Sequence, residues 1–172
     1  MDSSSRRDEI LRAIKGGKTP ISAASIAKKL NVSRQVIVGD VALLRAQGHE
    51  IIATARGYMI PQFRETSQYT GKLVCCHAPE NTREELYIIV DLNASVASVT
   101  VEHDLYGEII GQLNLKDRND VDIFIGRVEA AEVKLLSELT MGVHLHTIVC
   151  RDKAHFEEVE KALESAGYLY QG

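Results

Sequence analysis

The sequence contains no long hydrophobic run and only three cysteines. No segment reaches the roughly 18 consecutive apolar residues that a membrane-spanning helix requires, and the first residues, MDSSSRR, lack the hydrophobic region of a signal peptide. Three cysteines in 172 residues are too few for a disulfide framework, and an odd number is typical of a reducing compartment. We therefore expect a soluble, cytoplasmic protein with no membrane partner.

Motifs that mark several large enzyme classes are also missing. The chain has no H-E-x-x-H helix, no P-loop and no G-x-G-x-x-G segment, and no internal repeat is evident. A hydrolytic metal enzyme is therefore not favoured, and we predict that the protein is not an enzyme.

Charge is distributed unevenly along the chain. Residues 1–64 contain 11 Lys and Arg against 5 Asp and Glu, a net charge of +6, whereas residues 65–172 contain 9 against 19, a net charge of −10. The overall charge of −4 hides this division. A basic module of this size suits a nucleic-acid partner electrostatically, although a solvated basic surface has the same composition.

Apolar residues recur at helical spacing three times in the basic segment. The first helix is expected near residues 5–15, Ser22 can cap a second helix, and Ser33 can cap a third. Each helix has a stripe of apolar residues that predicts one shared core. These stripes are Ile10, Leu11 and Ile14, then Ile26, Ala27 and Leu30, then Ile37, Val41 and Leu44.

A turn of about three residues separates the second and third helices, which is typical of a helix-turn-helix. The first turn of the third helix would then enter the major groove of DNA, with the amides that follow Ser33 near a phosphate. Arg34 and Gln35 have the donors that read guanine and adenine edges, and Val38 can contact a thymine methyl. A three-helix bundle with no role in DNA binding would show the same apolar stripes.

Two short strands are predicted after the third helix, within residues 51–54 and 58–60, around a turn that contains Arg56 and Gly57. A hairpin in this place is a wing. Arg56 at its tip could approach the DNA backbone or minor groove, or it could simply face solvent. We therefore predict a winged helix-turn-helix DNA-binding domain over residues 1–62.

Residues 61–68 have no apolar periodicity and are predicted to connect the two domains. The second domain, residues 69–172, has the predicted order strand, helix, strand, strand, helix, strand, with an added helix and a terminal strand. This order is that of a ferredoxin-like α/β sandwich, so the fold class is α+β. The apolar run Ile123, Phe124 and Ile125 cannot all face one core, so its helix could contribute to an interface.

Histidines in the second domain form a candidate metal site. His144 and His146 share one face of a predicted strand, His77 ends an earlier strand, and Glu85 lies about one turn into the next helix. Three imidazoles and a carboxylate suit Zn(II), Ni(II), Co(II) or Fe(II). Lone histidines are also common as structural residues, and His103 is a further candidate that could equally face solvent.

Cys75 and Cys76 adjoin the first of these histidines, and only Cys75 would share its face of the strand. We interpret both cysteines as core residues.

The basic segment resembles the winged helix-turn-helix of bacterial metabolic repressors, and in particular the niacin-responsive repressors. These pair such a module with a C-terminal domain named 3H for its histidines. The resemblance is carried by the run IAKKLNVSRQVIV (residues 26–38), by residues 41–45 and by Arg56, Gly57 and Tyr58. In the second domain it is carried by the segment from His77 to Glu85 and by the His-Leu-His run at 144–146.

The resemblance implies a repressor of NAD biosynthesis or nicotinate uptake genes, with nicotinic acid as co-repressor. It also implies one divalent transition metal per chain, nickel, zinc or iron, held by His77, Glu85, His144 and His146. A nicotinate carboxylate could bind the metal or Arg83, which could equally be a solvated helix residue. A homodimer on a palindromic operator, paired mainly through the acidic domain, is expected because one helix reads only a few base pairs.

Two other functions remain open from the sequence. The ion itself could be the signal in a metal-responsive repressor, or the chain could be a metal-dependent enzyme with a fused DNA-binding domain.

Overall fold

The computed structural model describes residues 2–61 and 68–172. The chain divides into two compact units, residues 1–64 and 65–172. This division falls inside the predicted connection, of which residues 62–67 lie outside the described residues. In the described ranges, no helix is both long and apolar enough to cross a membrane.

The N-terminal domain is three helices followed by a hairpin, as predicted. Its elements are α1 (Ser3–Gly16), α2 (Ala23–Leu30), α3 (Arg34–Ala46), β1 (Ile52–Thr54) and β2 (Gly57–Met59). Ser22 and Ser33 are the N-caps of α2 and α3, because their hydroxyls accept from the amides of Ser25 and Val36. Asn31, in the left-handed region at φ 54°, ends α2 and forms the turn.

The predicted apolar stripes form one core. The buried residues are Ile10, Ile14, Ala23, Ile26, Ala27, Ile37, Val41, Leu44, Ile51 and Tyr58. One charged group is buried beside them: Asp40 of α3, which is 5% exposed, accepts from Arg6 Nε of α1 at 2.6 Å. This ion pair fixes α1 against α3, since a buried carboxylate is stable only with a partner.

The wing is attached to the helices through backbone. Ile21 and Tyr58 exchange two backbone hydrogen bonds of 2.9 and 2.8 Å, so the segment before α2 extends the hairpin. Arg45 Nε at the end of α3 donates to the Ile51 carbonyl at 2.6 Å. A Cβ at Gly57, whose φ is +133°, would lie 2.4 Å from the Ile21 carbonyl oxygen, so only glycine fits there.

The C-terminal domain is a four-stranded sheet covered by helices. Its elements are β3 (Tyr69–Cys76), α4 (Thr82–Asp91), β4 (Ser95–His103), β5 (Gly107–Leu115), α5 (Arg118–Ala131), β6 (Val143–Cys150) and α6 (Lys153–Ser165), with short 3-10 helices at Pro79–Asn81 and Leu136–Thr140. The α4 helix contacts both α5 and α6, so the three helices form one layer. This element order and the α+β class agree with the prediction.

The sheet is antiparallel, with the order β3-β6-β4-β5. Thus β3 and β4, joined by α4, run in the same direction with β6 between them, which is a split β-α-β unit. The second and fourth strands of the domain are central, whereas a ferredoxin-like sheet has its first and third strands there. The domain shares the element order of that sandwich but not its strand order, because element order does not determine which strands pair.

Replacing Gly57 with alanine should destabilise the N-terminal domain by about 1–3 kcal/mol, because the new Cβ would collide with backbone at a positive φ. Gly39→Ala is the matched control, since Gly39 lies within α3 and a Cβ there meets no atom within 4 Å. That control should stabilise the domain by up to about 1 kcal/mol. Denaturant unfolding of both variants measures the difference; equal effects of the two substitutions would contradict this account of the wing.

Candidate functional site

Glu85 is buried within the C-terminal domain, with none of its side chain exposed. It belongs to the first turn of α4, which places it over the end of the sheet. Its carboxylate is 2.7 Å from His77 Nε2, 3.0 Å from His144 Nε2 and 3.2 Å from His146 Nε2. The four predicted ligands therefore lie together, and each of the three imidazole side chains is at most 4% exposed.

Each of the three imidazoles is held by a backbone carbonyl at its other nitrogen. Nδ1 of His77 is 2.9 Å from the Ala78 oxygen, and Nδ1 of His144 is 2.8 Å from the Gly142 oxygen. Nδ1 of His146 is 3.2 Å from the Ser98 oxygen. A carbonyl only accepts, so Nδ1 carries a proton in all three rings. Nε2 faces the centre, where it can donate to Glu85 when protonated or bind a metal through its lone pair when neutral. Metal-binding histidines in proteins are oriented in this way.

Local irregularities of the backbone occur at two of these three carbonyls, those of Ser98 and Gly142. The register of β4 shifts between Val96 and Ser98, and a bulge of this kind frees a strand carbonyl from its ladder. Gly142 has φ +93°, and a Cβ there would lie 2.6 Å from the His77 carbonyl oxygen. Glycine therefore allows the start of β6 to approach His77.

The centre of the cluster lacks the hydrogen bonds that its distances suggest. Only the contact between His144 Nε2 and Glu85 has the angle of a hydrogen bond. In the part of the chain that the structure describes, no group provides a well-oriented hydrogen-bond partner for His77 Nε2, His146 Nε2 or Glu85 Oε2. Imidazole nitrogens and carboxylate oxygens that face each other through their lone pairs repel one another. A proton or a cation between them removes this repulsion. The donor set therefore fits a divalent transition metal.

The charge of Glu85 changes the proton affinity of its neighbours. Burial alone would lower the pKa of His77 and of His146, but contact with the Glu85 carboxylate raises both pKa values. Burial also opposes ionisation of Glu85, yet the three imidazoles hold the pKa of its carboxyl group well below its usual range. Protons thus compete with a metal for the imidazoles, and lowering the pH should weaken metal binding.

Cys75 is buried, as its interpretation as a core residue predicted, and it also lies in this cluster. It is fully buried and is the direct cross-strand neighbour of His144. One sulfur, nitrogen or oxygen atom of each of Cys75, Glu85 and His144 lies within 4.8 Å of the others. Burial raises the pKa of the Cys75 thiol, and the Glu85 carboxylate raises it further. The sequence contained one sign of this position, because Cys75 is predicted on the same face of the strand as His77.

The segment after α6 covers the edge of the site. The Tyr168 ring packs on His77 with their centroids 5.2 Å apart, and its hydroxyl donates to the Glu84 carboxylate at 2.5 Å. Leu169 forms a backbone bridge with Cys75, where a terminal strand was predicted.

A cavity of about 470 Å³ opens beside His77. Its volume lies in the usual range for sites that bind small molecules. It is lined in part by Lys134, Ser137, Glu138 and Gly142. Lys134 is exposed and has no ion-pair partner within residues 2–61 and 68–172. This cavity therefore combines a cationic side chain with one edge of the histidine cluster.

In the N-terminal domain, the predicted DNA-reading residues lie at the start of α3. Arg34 and Gln35 are exposed, Val38 is half-buried, and Ser33 caps the helix. Arg56 lies in the β1–β2 turn, where its amide donates to Thr54 Oγ1 at 3.1 Å. The side chains thus present donors at an accessible helix N-terminus next to a wing, as a winged helix-turn-helix requires.

Comparison with known proteins matches both domains. A helix-turn-helix (HTH) domain family matches residues 6–59, and the 3H domain family matches residues 70–172. The chain belongs to the 3H family.

Two relatives of this 3H protein are the transcription repressor NadR of Bacillus subtilis (strain 168) and the probable transcription repressor NiaR of Thermotoga maritima. NadR is 41% identical over 95% of this chain and 92% of its own length. NiaR is 38% identical over 96% of this chain and 94% of its own length. These relatives agree with a DNA-binding regulator rather than an enzyme.

Two predicted residues of the 3H domain lie outside the cluster. Arg83 is two residues from Glu85 on α4, and such residues face different directions on a helix. Its guanidinium is 3.0 Å from Asp122 Oδ1 and 3.9 Å from Glu129 Oε1, both on α5. His103 ends β4, and its Nδ1 accepts from the amides of Leu105 and Tyr106 in the following turn.

The His144→Ala/His146→Ala double variant should lose its metal, because it removes two of the three nitrogen donors next to Glu85. Elemental analysis after dialysis should find about one transition-metal ion per chain in the original protein and little in the variant. The His103→Ala variant is the control and should keep the ion. Full occupancy in the double variant would exclude this ligand set.

Proposed function

We propose that this 3H protein is a DNA-binding transcriptional repressor that uses nicotinic acid as co-repressor and one divalent transition metal in its C-terminal domain. The observation that carries the proposal is the buried group of imidazoles around Glu85, beside an open cavity, in a chain with a winged helix-turn-helix. Its target genes would be those of NAD biosynthesis or nicotinate uptake, as the resemblance to niacin-responsive repressors implies.

The DNA-binding surface is assigned to the start of α3 and to the wing. Arg34 and Gln35 are the exposed donors for base edges, Ser33 positions the helix terminus near a phosphate, and Val38 is available to a thymine methyl. Arg56 in the wing would contact the backbone or minor groove. The net charge of +6 on residues 1–64 supports binding to phosphates, whereas the −10 of the remaining chain favours a position away from DNA.

A homodimer on a palindromic operator completes this proposal. One recognition helix reads only a few base pairs, so two copies give a site of useful length. The acidic domain carries exposed apolar side chains that support pairing there: Ile123 on α5 is 51% exposed, as its sequence pattern predicted, and Ile110 on the sheet is 52% exposed.

His77, Glu85, His144 and His146 would hold the metal, and the ion would supply a positive charge and a Lewis-acidic centre next to the cavity. The metal could be nickel, zinc or iron, since imidazole and carboxylate ligands suit all three. An effector changes DNA affinity only if it binds one state of the protein better than another. Nicotinate would bind in the cavity beside His77 and would stabilise the state of the protein that binds DNA.

Two cations are candidates for the nicotinate carboxylate. Arg83 is the one predicted from the sequence, but its guanidinium is next to two carboxylates of α5. Lys134 lines the cavity together with His77. The structure therefore favours Lys134, because binding there breaks no ion pair among the described residues.

Arg34→Ala should weaken operator binding by about tenfold or more, because a bidentate contact with guanine is worth about 1–3 kcal/mol. Arg12→Ala is a control with the same loss of charge, since Arg12 pairs with Glu9 on α1. Titration of a palindromic operator fragment at fixed salt measures both affinities and should saturate at two chains per fragment. Unchanged affinity in Arg34→Ala would mean that α3 does not read the DNA.

Calorimetry should detect nicotinate binding to the metal-loaded protein, and Lys134→Ala should weaken it by about tenfold, the usual effect of losing a charge-assisted hydrogen bond. Lys153→Ala, on α6 and next to Glu157, is the matched control. DNA binding should tighten when nicotinate is added. A response to metal alone, with none to nicotinate, would instead identify a metal-responsive repressor in which the ion is the signal.

A further inference from the structure

One group of possible metal ligands among the described residues includes a thiol. Atoms of Cys75, Glu85 and His144 lie within 4.8 Å of one another, whereas His77 and His146 reach the carboxylate from its two sides. A tetrahedral zinc ion holds sulfur and nitrogen ligands about 3.6 Å apart, from bond lengths of about 2.3 and 2.1 Å. Shifts of up to about 1 Å would therefore place all three on one ion.

Two further observations show that this centre is built to take a ligand. Glu85 Oε2 and the Nε2 atoms of His77 and His146 are buried, and no well-oriented hydrogen-bond partner for them exists among the described residues. Cys75 is directly opposite His144 in the β3–β6 pair, so the strand register directs its side chain to the same face as both histidines of β6.

We propose that Cys75 is a ligand of the metal, together with the imidazoles and Glu85. This rests on the metal site of the proposed function and adds a sulfur donor to it. On binding, the ion replaces the thiol proton, which passes to solvent, and a metal–sulfur bond forms with no change of oxidation state. A soft thiolate selects zinc, nickel or cobalt over magnesium and manganese.

Charge balance supports the thiolate. A divalent ion bound by one carboxylate and neutral imidazoles would leave a net charge of +1 in a site with almost no exposed surface, and an unbalanced buried charge is costly. Thiolate and carboxylate together neutralise the ion.

The other cysteines provide controls. Cys76 is half-buried and its side chain alternates to the opposite face of β3. Cys150 is buried on the same face of β6 as the histidines, but it is six residues from His144, about 20 Å along the strand. Cys150→Ala therefore removes a buried thiol of the same sheet without reaching the cluster.

The test is the absorption spectrum of the full chain loaded with Co(II), because a thiolate ligand gives an intense near-ultraviolet charge-transfer band that imidazole and carboxylate do not. The original protein and Cys150→Ala should show this band. Cys75→Ala and Cys75→Ser should lack it and bind Co(II) about tenfold or more weakly, with unchanged far-ultraviolet circular dichroism as the folding check.

The outcomes separate this inference from the proposed function. Co(II) bound without a charge-transfer band would overturn the cysteine ligand and leave the histidine site intact. So would tight binding in Cys75→Ser with weak binding in Cys75→Ala, because serine preserves a hydrogen-bond donor to Glu85 but provides no thiolate. If the original protein binds no Co(II), Zn(II) or Ni(II), the metal site of the proposed function fails as well.

Discussion

A carboxylate with no exposed surface is the constraint around which the C-terminal domain is organised. Glu85 needs polar partners because it is buried, and three imidazoles from the ends of β3 and β6 surround it. Those imidazoles need acceptors on their far side. The bulge in β4 provides one at Ser98, and the positive φ of Gly142 provides another. The irregular backbone at Ser98 and Gly142 thus orients the imidazoles that contact the buried carboxylate.

Local signals explain why the N-terminal domain could be predicted almost completely. Helix caps such as Ser22 and Ser33, and apolar residues three or four apart, act within a few residues. The strand order of the second domain could not be predicted in this way, because pairing between β3 and β6 joins residues some 70 positions apart. The sequence therefore predicted the elements of the sandwich but not the exchange of its central strands.

The cluster of histidines around Glu85 was predicted from residue types, and the geometry adds two of its neighbours. His77, Glu85, His144 and His146 lie together as expected. Cys75 is in the core, as the sequence interpretation predicted, but its position beside Glu85 and His144 could not be predicted, because it depends on how β3 and β6 pair. Lys134 lies outside every predicted element and carries no periodic signal, so only the folded structure reveals that it lines the cavity beside His77.

Tyr168 and Leu169, which cover the histidine cluster, come from the last residues of the chain to be synthesised. The two domains can therefore fold at different times during synthesis. The N-terminal domain needs no residue beyond its own hairpin to bury its core, so it can fold early on the ribosome. The histidine cluster joins His77 to Tyr168, which lies 91 positions later in the chain. A newly made chain would therefore complete its helix-turn-helix domain before Tyr168 closes over the histidine cluster.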